Sequence, residues 1–280
     1  MAVQDGRSAN RLSRRTVLRG AAATAGGLIA LDAFGLEPRW LDVTRHDVPV
    51  AGLPGALEGL TIVQLTDVHL SSLGSLHESI FETVRRIDPQ IVVLTGDMVD
   101  HGSSAPVLEA FCRGIAAPGR VLLATLGNWE HWGGVPLEVI QEAYVKSGTR
   151  LLVNEHCVAA GVVVAGTDDY CSNNHDVHRT LDGLPAGEAR LLLSHAPGLL
   201  DVMPPGAPRF DLALSGHTHG GQVSFFGHAI VLPPGCGRFV AGAYETPAGP
   251  AYVSRGIGTS DLNVRVMCRP ELPIFRLVRG

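Results

Sequence analysis

The sequence predicts an α/β fold, on three observations. Short apolar runs close on polar or glycine residues, helix-period stretches lie between several of them, and after about residue 220 the helical signals stop while strand-like pieces continue. With 45% hydrophobic and 18% charged residues, a chain of 280 can bury a sizeable core and shows no compositional sign of disorder.

The apolar runs, in order, are TIVQLT (61–66), IVVLT (91–95), VLLATL (121–126), VVVAG (162–166), RLLLS (190–194) and DLALS (211–215). Each reads as a buried strand. Between the first two, LHESIFETVRRI spaces Leu76, Ile80, Val84 and Ile87 at steps of three and four, one apolar helix face. PLEVIQEAYVKSG behaves similarly. Beyond residue 220, QVSFF, RFVAGAY, PAYVSR, NVRVM and PIFRLV are β-like and predict a second, more antiparallel sheet. No internal repeat or low-complexity linker separates the halves, so residues 36–280 are expected to pack as one domain.

Residues 1–35 are set apart as a leader. Ser13-Arg14-Arg15-Thr16-Val17-Leu18-Arg19 followed by GAAATAGGLIAL resembles a twin-arginine export signal. From Gly20 to Leu31 the apolar run is short of the roughly 20 residues that a membrane helix needs. No clean cleavage site precedes Arg39, which leaves an uncleaved anchor open. The expected address is the periplasm or the outer face of the inner membrane, with the export machinery as a partner and peripheral membrane contact within reach.

Without residues 1–33 the chain holds 17 basic and 25 acidic side chains, a poor footprint for nucleic acid. The single lysine, Lys146, follows EAYV and not a glycine-rich loop, which excludes a P-loop nucleotidase. Five cysteines at irregular spacing, with no C-x-x-C, form neither a zinc site nor a disulfide framework.

The chemistry lies at the carboxyl ends of the apolar runs, where α/β sheets place their ligands. TIVQLT runs into Asp67-Val68-His69, IVVLT into Gly96-Asp97-Met98-Val99-Asp100, and VLLATL into Gly127-Asn128. RLLLS runs into His195, and DLALS into Gly216-His217-Thr218-His219-Gly220-Gly221. Singly, each has a bland explanation, such as a helix cap or a surface histidine. Together they assemble carboxylate, amide oxygen and imidazole, a donor set suited to Mn, Fe, Co, Ni or Zn. Seven ligands exceed the needs of one ion with an open position and suit two that share a carboxylate.

DVH, GDMVD, GN, the isolated SH and GHTHGG together resemble the calcineurin-like metallophosphoesterase superfamily over about residues 60–222. GHTHGGQ, YVSRGIG and VRVMCRPEL are similar to its exported or membrane-associated branch, which includes UDP-2,3-diacylglucosamine pyrophosphatase-like phosphodiesterases. The resemblance implies a four-layer αββα sandwich of two mixed sheets. It implies two divalent ions (Mn, Fe, Zn or Co), one held by Asp67, His69 and His219, the other by Asn128, His195 and His217, with Asp97 bridging. A metal-bound hydroxide would attack phosphorus in a phosphodiester or pyrophosphate of a lipid- or nucleotide-linked substrate. Arg255 would contact the substrate phosphate, with a structural ion pair as its alternative. His101, His156, His175, His178 and His228 belong to no motif and are assigned to surface or loops.

One position departs from the family. Where relatives carry a histidine after Gly-Asn, this chain has Trp129, whose indole cannot deliver a proton near neutral pH. His131 would replace that acid with Asp100 orienting it, or the leaving group departs unprotonated and Trp129 stacks on a base or covers an acyl chain, or the chain binds metal without turnover. A phosphomonoesterase and a non-catalytic envelope module that binds phosphorylated ligands are the competing readings.

Overall fold

The computed structural model describes residues 13–186, 189–226, 228–260 and 262–280. Fourteen strands are seen among them. In chain order these are β1 (Asp42–Val50), β2 (Thr61–Leu65), β3 (Ile91–Thr95), β4 (Val121–Thr125), β5 (Arg150–Leu151), β6 (Glu155–Ala159) and β7 (Val162–Gly166). There follow β8 (Arg190–Leu193), β9 (Leu212–Ser215), β10 (Ser224–Phe225), β11 (His228–Ala229), β12 (Gly242–Thr246), β13 (Gly249–Val253) and β14 (Glu271–Arg279). The helices are α1 (Arg14–Leu31), α2 (Ser75–Ile87), α3 (Ala105–Ile115), α4 (Asn128–Trp132), α5 (Leu137–Ser147) and α6 (Val177–Leu181).

Two six-stranded sheets form the body. The first runs β1-β14-β2-β3-β4-β5, and the second β12-β13-β9-β8-β7-β6. Strands β2 to β5 are parallel, as are β13, β9, β8 and β7, while the antiparallel pairs are β14 with β2, β12 with β13, and β6 with β7. Parallel central strands explain the unbroken apolar runs, because both of their faces are covered. Val63, Leu65, Val92 and Leu94 point to a core with α2, α3 and α5. Ile62, Ile91, Val93 and Leu123 point the other way, onto Val162, Val164, Leu191, Leu193 and Leu214 of the second sheet. The outer face of that sheet packs Leu192, Ala213 and Val253 under Leu200, Phe210 and Phe239, with Leu181 of α6 at its margin. This is the αββα sandwich, with a thin fourth layer.

The strand-like pieces beyond residue 220 do not make the second sheet by themselves. PIFRLV lies in β14, which enters the first sheet between β1 and β2, pairing Ile274 with Val63. QVSFF contributes β10, paired only with β11, and NVRVM contributes a single bridge, Val223 to Val266. The second sheet instead takes its center from β7, β8 and β9. Strand β1 carries no apolar run, since it is an edge strand with the polar Thr44-Arg45-His46-Asp47 at its middle, and as an edge it tolerates Pro49.

At the N-terminus the Ser13 hydroxyl accepts the Thr16 N–H at 3.1 Å and caps α1. A π-type turn, Asp32–Leu36, and a 3₁₀ turn, Glu37–Arg39, continue it. The helical segment Arg14–Arg39 thus has 26 residues, with a mean hydropathy of 1.3 in its most apolar window. By length and composition it is long enough to cross a membrane, longer than the apolar run from Gly20 indicated. Its end is built into the body. The Arg265 N–H donates to Ala33 O at 3.0 Å, and the buried Glu37 carboxylate accepts the N–H groups of Met267 and Cys268 at 2.9 and 2.5 Å.

Candidate metal centre

All seven predicted ligands meet at the carboxyl ends of β2, β3, β4, β8 and β9, and all are buried. Two groups result. The donor atoms of Asp67, His69 and His219 lie within 4.8 Å of one another, as do those of Asp97, His195 and His217. Asn128 joins the second group, its Oδ1 at 3.2 Å from His195 Nε2.

The backbone is bent to bring these side chains inward. Asp67, His69, Asp97, His217 and His219 all have left-handed φ angles, between 49° and 70°, which non-glycine residues seldom adopt. Cross-loop hydrogen bonds hold them there: Asp67 N–H to Gly96 O, His69 N–H to Asp97 O, and His217 N–H to the Asp67 carboxylate at 2.9 Å. The motif glycines are required by close approach. A Cβ on Gly127 would collide with the Asp97 carboxylate, and one on Gly216 with that of Asp67.

The imidazoles are oriented for a cation. His195 Nδ1 donates to Thr95 O at 2.8 Å and His217 Nε2 to Pro234 O at 2.6 Å, which fixes both tautomers. The free lone pairs, His195 Nε2 and His217 Nδ1, then face each other at 3.2 Å. Two nitrogens so placed call for a positive charge between them, either a shared metal ion or a proton on His195 Nε2. His69 Nε2 and His219 Nε2 also stand 3.2 Å apart. Burial holds the His219 imidazole well below its ordinary pKa, and burial with the neighbouring His195 lowers His217, so both favour the neutral, ligating form. His195 goes the other way: burial works against its charge, but Asp97 at 3.2 Å and then Asp67 hold it well above the usual value. Burial, helped by the Asp97 charge, raises Asp67 against the opposing pull of His195. Burial also pushes on Asp97, yet His195, His69 and the Trp129 N–H outweigh it and keep the carboxyl low.

The remaining predicted residues are placed differently. His131 does not meet Asp100. Its Nε2 binds Asp168 Oδ1 at 2.7 Å, and Asp100 instead lies 3.9 Å from His69 Nδ1. Arg255 is committed to Asp42 at 2.7 Å and Glu271 at 3.1 Å, the structural pairing and not an open phosphate contact. Trp129 lines the cleft beside the ligands, edge-on to His69 and to His101, whose ring centroid is 4.9 Å away. His101 therefore borders the site, outside any motif.

Two groups escaped the sequence reading. Glu130 is fully buried and accepts four backbone N–H groups: Gly127 at 2.7 Å, Asp97 at 2.9 Å, Met98 at 2.8 Å and Val99 at 3.3 Å. It ties the Asp97 loop to the Asn128 loop, and burial followed by the Asp97 charge pushes its carboxyl up to about 7. A glutamate three residues after the Gly127 cap of α4 is a capping-box position, and that signal would have found it. Asp168 and Asp169 follow β7, a sixth strand end with carboxylates. The buried Asp169 Oδ2 accepts the Ser172 N–H, and its Oδ1 finds no partner among the described residues.

The donor floor opens into a cleft of about 650 Å³ whose other wall is apolar, including Val223, Val231, Leu262 and Val264. The sequence profile of the calcineurin-like phosphoesterases matches residues 60–221, more than half of the chain and the whole stretch that bears the donors. The chain belongs to the calcineurin-like phosphoesterases. As a member of this family it is a metal-dependent phosphoester hydrolase. This phosphoesterase is 32% identical to the metallophosphoesterase YkuE of Bacillus subtilis over 95% of its own length and 98% of the relative's. It is 29% identical to the phosphodiesterase YaeI of Escherichia coli, over 95% and 100%. The transmembrane protein with metallophosphoesterase domain of Danio rerio is 28% identical, across 92% of this chain and 62% of that one. Among solved structures, TT1561 of Thermus thermophilus aligns over 71% of this chain and 90% of that one with a TM-score of 0.45 and 13% identity.

Proposed function

We propose that the enzyme is a dinuclear phosphodiesterase, cleaving a phosphodiester or pyrophosphate bond of a lipid- or nucleotide-linked substrate. The carrying observation is the place of Asp97. Its Oδ2 lies 3.2 Å from His195 Nε2 and 3.9 Å from His69 Nε2, on the seam between the two donor groups. Asp67, His69 and His219 would hold one cation, Asn128, His195 and His217 the other, and Asp97 both. Such a pair, when bound, supplies an activated water and neutralises charge on the phosphoryl oxygens.

The protein's own contribution is positioning. Glu130 fixes the Asp97 and Asn128 loops relative to each other, and the Trp129 backbone N–H orients the Asp97 carboxylate at 2.8 Å. Among the described residues lining the cleft there is no lysine or arginine. A singly charged diester suits such a cleft better than a dianionic monoester. With His131 held by Asp168, the departure of a leaving group that needs no proton is the favoured account of Trp129, whose indole is then free to cover an apolar part of the substrate.

The location follows the same reading: residues 36–280 form the catalytic domain, and residues 1–35 serve as a twin-arginine signal kept as an anchor. An exposed Arg14-Arg15 pair at the start of α1 supports the first, and the relative in Danio rerio, transmembrane by name, supports the second.

The test is metal titration of the purified chain beside its Asp97→Asn variant. Two equivalents of Mn²⁺ are expected for the parent, with hydrolysis of an aryl diester preferred to the aryl monoester. Full activity at one equivalent, or preference for the monoester, would sink the proposal.

A further inference from the structure

The apolar wall of the cleft is a knitted unit built from residues 222–226 and 228–231 on one side and residues 260 and 262–268 on the other. Val223 bridges Val266, and the Ser224 N–H donates to Val266 O at 2.9 Å. The Gln222 side chain donates to Leu262 O at 2.8 Å and accepts the Ser260 N–H at 2.9 Å. Yet this well-bonded unit exposes large apolar side chains: Phe226 is 87% exposed, Val231 72% and Leu262 67%. Phe226 and Met267 even hold left-handed φ angles of 51°, where bulky residues rarely sit. Exposed apolar groups on such a backbone gain nothing within the folded chain and mark an interaction surface.

The same unit receives the end of the N-terminal helical segment. Ala33 O and the Glu37 carboxylate bind the N–H groups of Arg265, Met267 and Cys268, so a segment long enough to cross a membrane is fastened to the apolar wall itself. Next to it the exposed Trp40 indole lies under the Arg269 guanidinium at 3.7 Å, an aromatic and cationic pair suited to the headgroup level of a bilayer. Cys268 completes the link, its Sγ–H donating to His219 O at 3.1 Å.

We propose that this wall docks on the lipid bilayer, so that the cleft opens onto the headgroup layer and takes a phosphodiester lipid whose acyl chains lie along the wall. The substrate half of this rests on the phosphodiesterase reading above. The docking half rests only on the wall and its attached helix.

The experiment uses the full chain with Mn²⁺, reconstituted in phosphatidylcholine and phosphatidylglycerol vesicles. In a Phe226→Trp variant, the added emission is expected to be quenched by brominated phosphatidylcholine and shielded from iodide. Emission that remains open to iodide overturns the docking, whatever the activity. For the substrate, Phe226→Asn with Met267→Asn keeps residues that tolerate the left-handed backbone. That variant is expected to lose about tenfold or more on vesicle phospholipid, the result of weaker apolar insertion, while a soluble aryl diester is turned over as by the parent. Equal losses on both substrates, or no loss on either, overturn the lipid assignment, as does a parent that cleaves a soluble nucleotide diester and leaves the vesicle lipid intact. A parent that cleaves no diester at all, with the added tryptophan quenched, refutes the phosphodiesterase reading and leaves the docking standing.

Discussion

The floor of the cleft and its outer wall are both held by dense backbone hydrogen bonding, but they spend it on opposite ends. On the floor, left-handed turns and cross-loop bonds drive carboxylates and imidazoles inward, where burial makes their charge depend on one another. On the wall, equally bonded segments turn phenylalanine, valine and leucine outward. Polar groups inside and apolar groups outside both run against the ordinary sorting of side chains by water. Each side is suited to a partner from outside the described residues, ionic for the floor and apolar for the wall.

That contrast can be broken at several points. Removing Asp97 should have the largest effect, because it withdraws a donor from both groups: Asp97→Ala is expected to cost on the order of 10³-fold or more in diester turnover, with bound metal falling in elemental analysis. Leu193→Ala, in the core between the sheets, should destabilise by about 2–5 kcal/mol in denaturant unfolding, as for other buried leucines. Glu130→Gln keeps the shape but turns an amide toward four N–H donors, and should lower metal affinity or turnover by about 10–100-fold. A change smaller than twofold would remove its positioning role.

His131 offers a pH test. Its hydrogen bond to Asp168 holds the imidazole above its ordinary value, although partial burial opposes this. The stabilisation is therefore complete below about pH 6.5 and is lost as pH rises through the higher folded value. The gap in melting temperature between the parent and His131→Asn should be wider at low than at high pH. A constant gap would mean that the pair is not an ionic one. The smallest effect is expected on the wall: Val231→Ser should change stability in solution by no more than about 0.5 kcal/mol, since the side chain already faces water.

Much of the floor was legible in the sequence because its logic is local. Each ligand follows an apolar run by one to four residues, and parallel strands bring their carboxyl ends to one edge of the sandwich. The sandwich itself was implied by the resemblance. The rest depends on contacts that no local pattern records. The partner of His131 comes from residue 168 and those of Arg255 from residues 42 and 271, across the fold, so neither pairing could be read from spacing. Strand β14 was visible as a strand, but its place between β1 and β2 was not. Glu130 and Asp168 were missed for a different reason, since both obey rules applied elsewhere along the chain, the helix cap and the strand end.

The donors come from strands of both sheets, from Asp67 near the start of the sandwich to His219 well beyond its middle. Neither sheet can present a complete set by itself, and the donors converge only after the two have packed face to face. The centre is thus a clasp closed by folding, and the identity of the ions is decided in whatever compartment that closure takes place. An enzyme that crosses a membrane already folded would take with it the metal of the compartment it left.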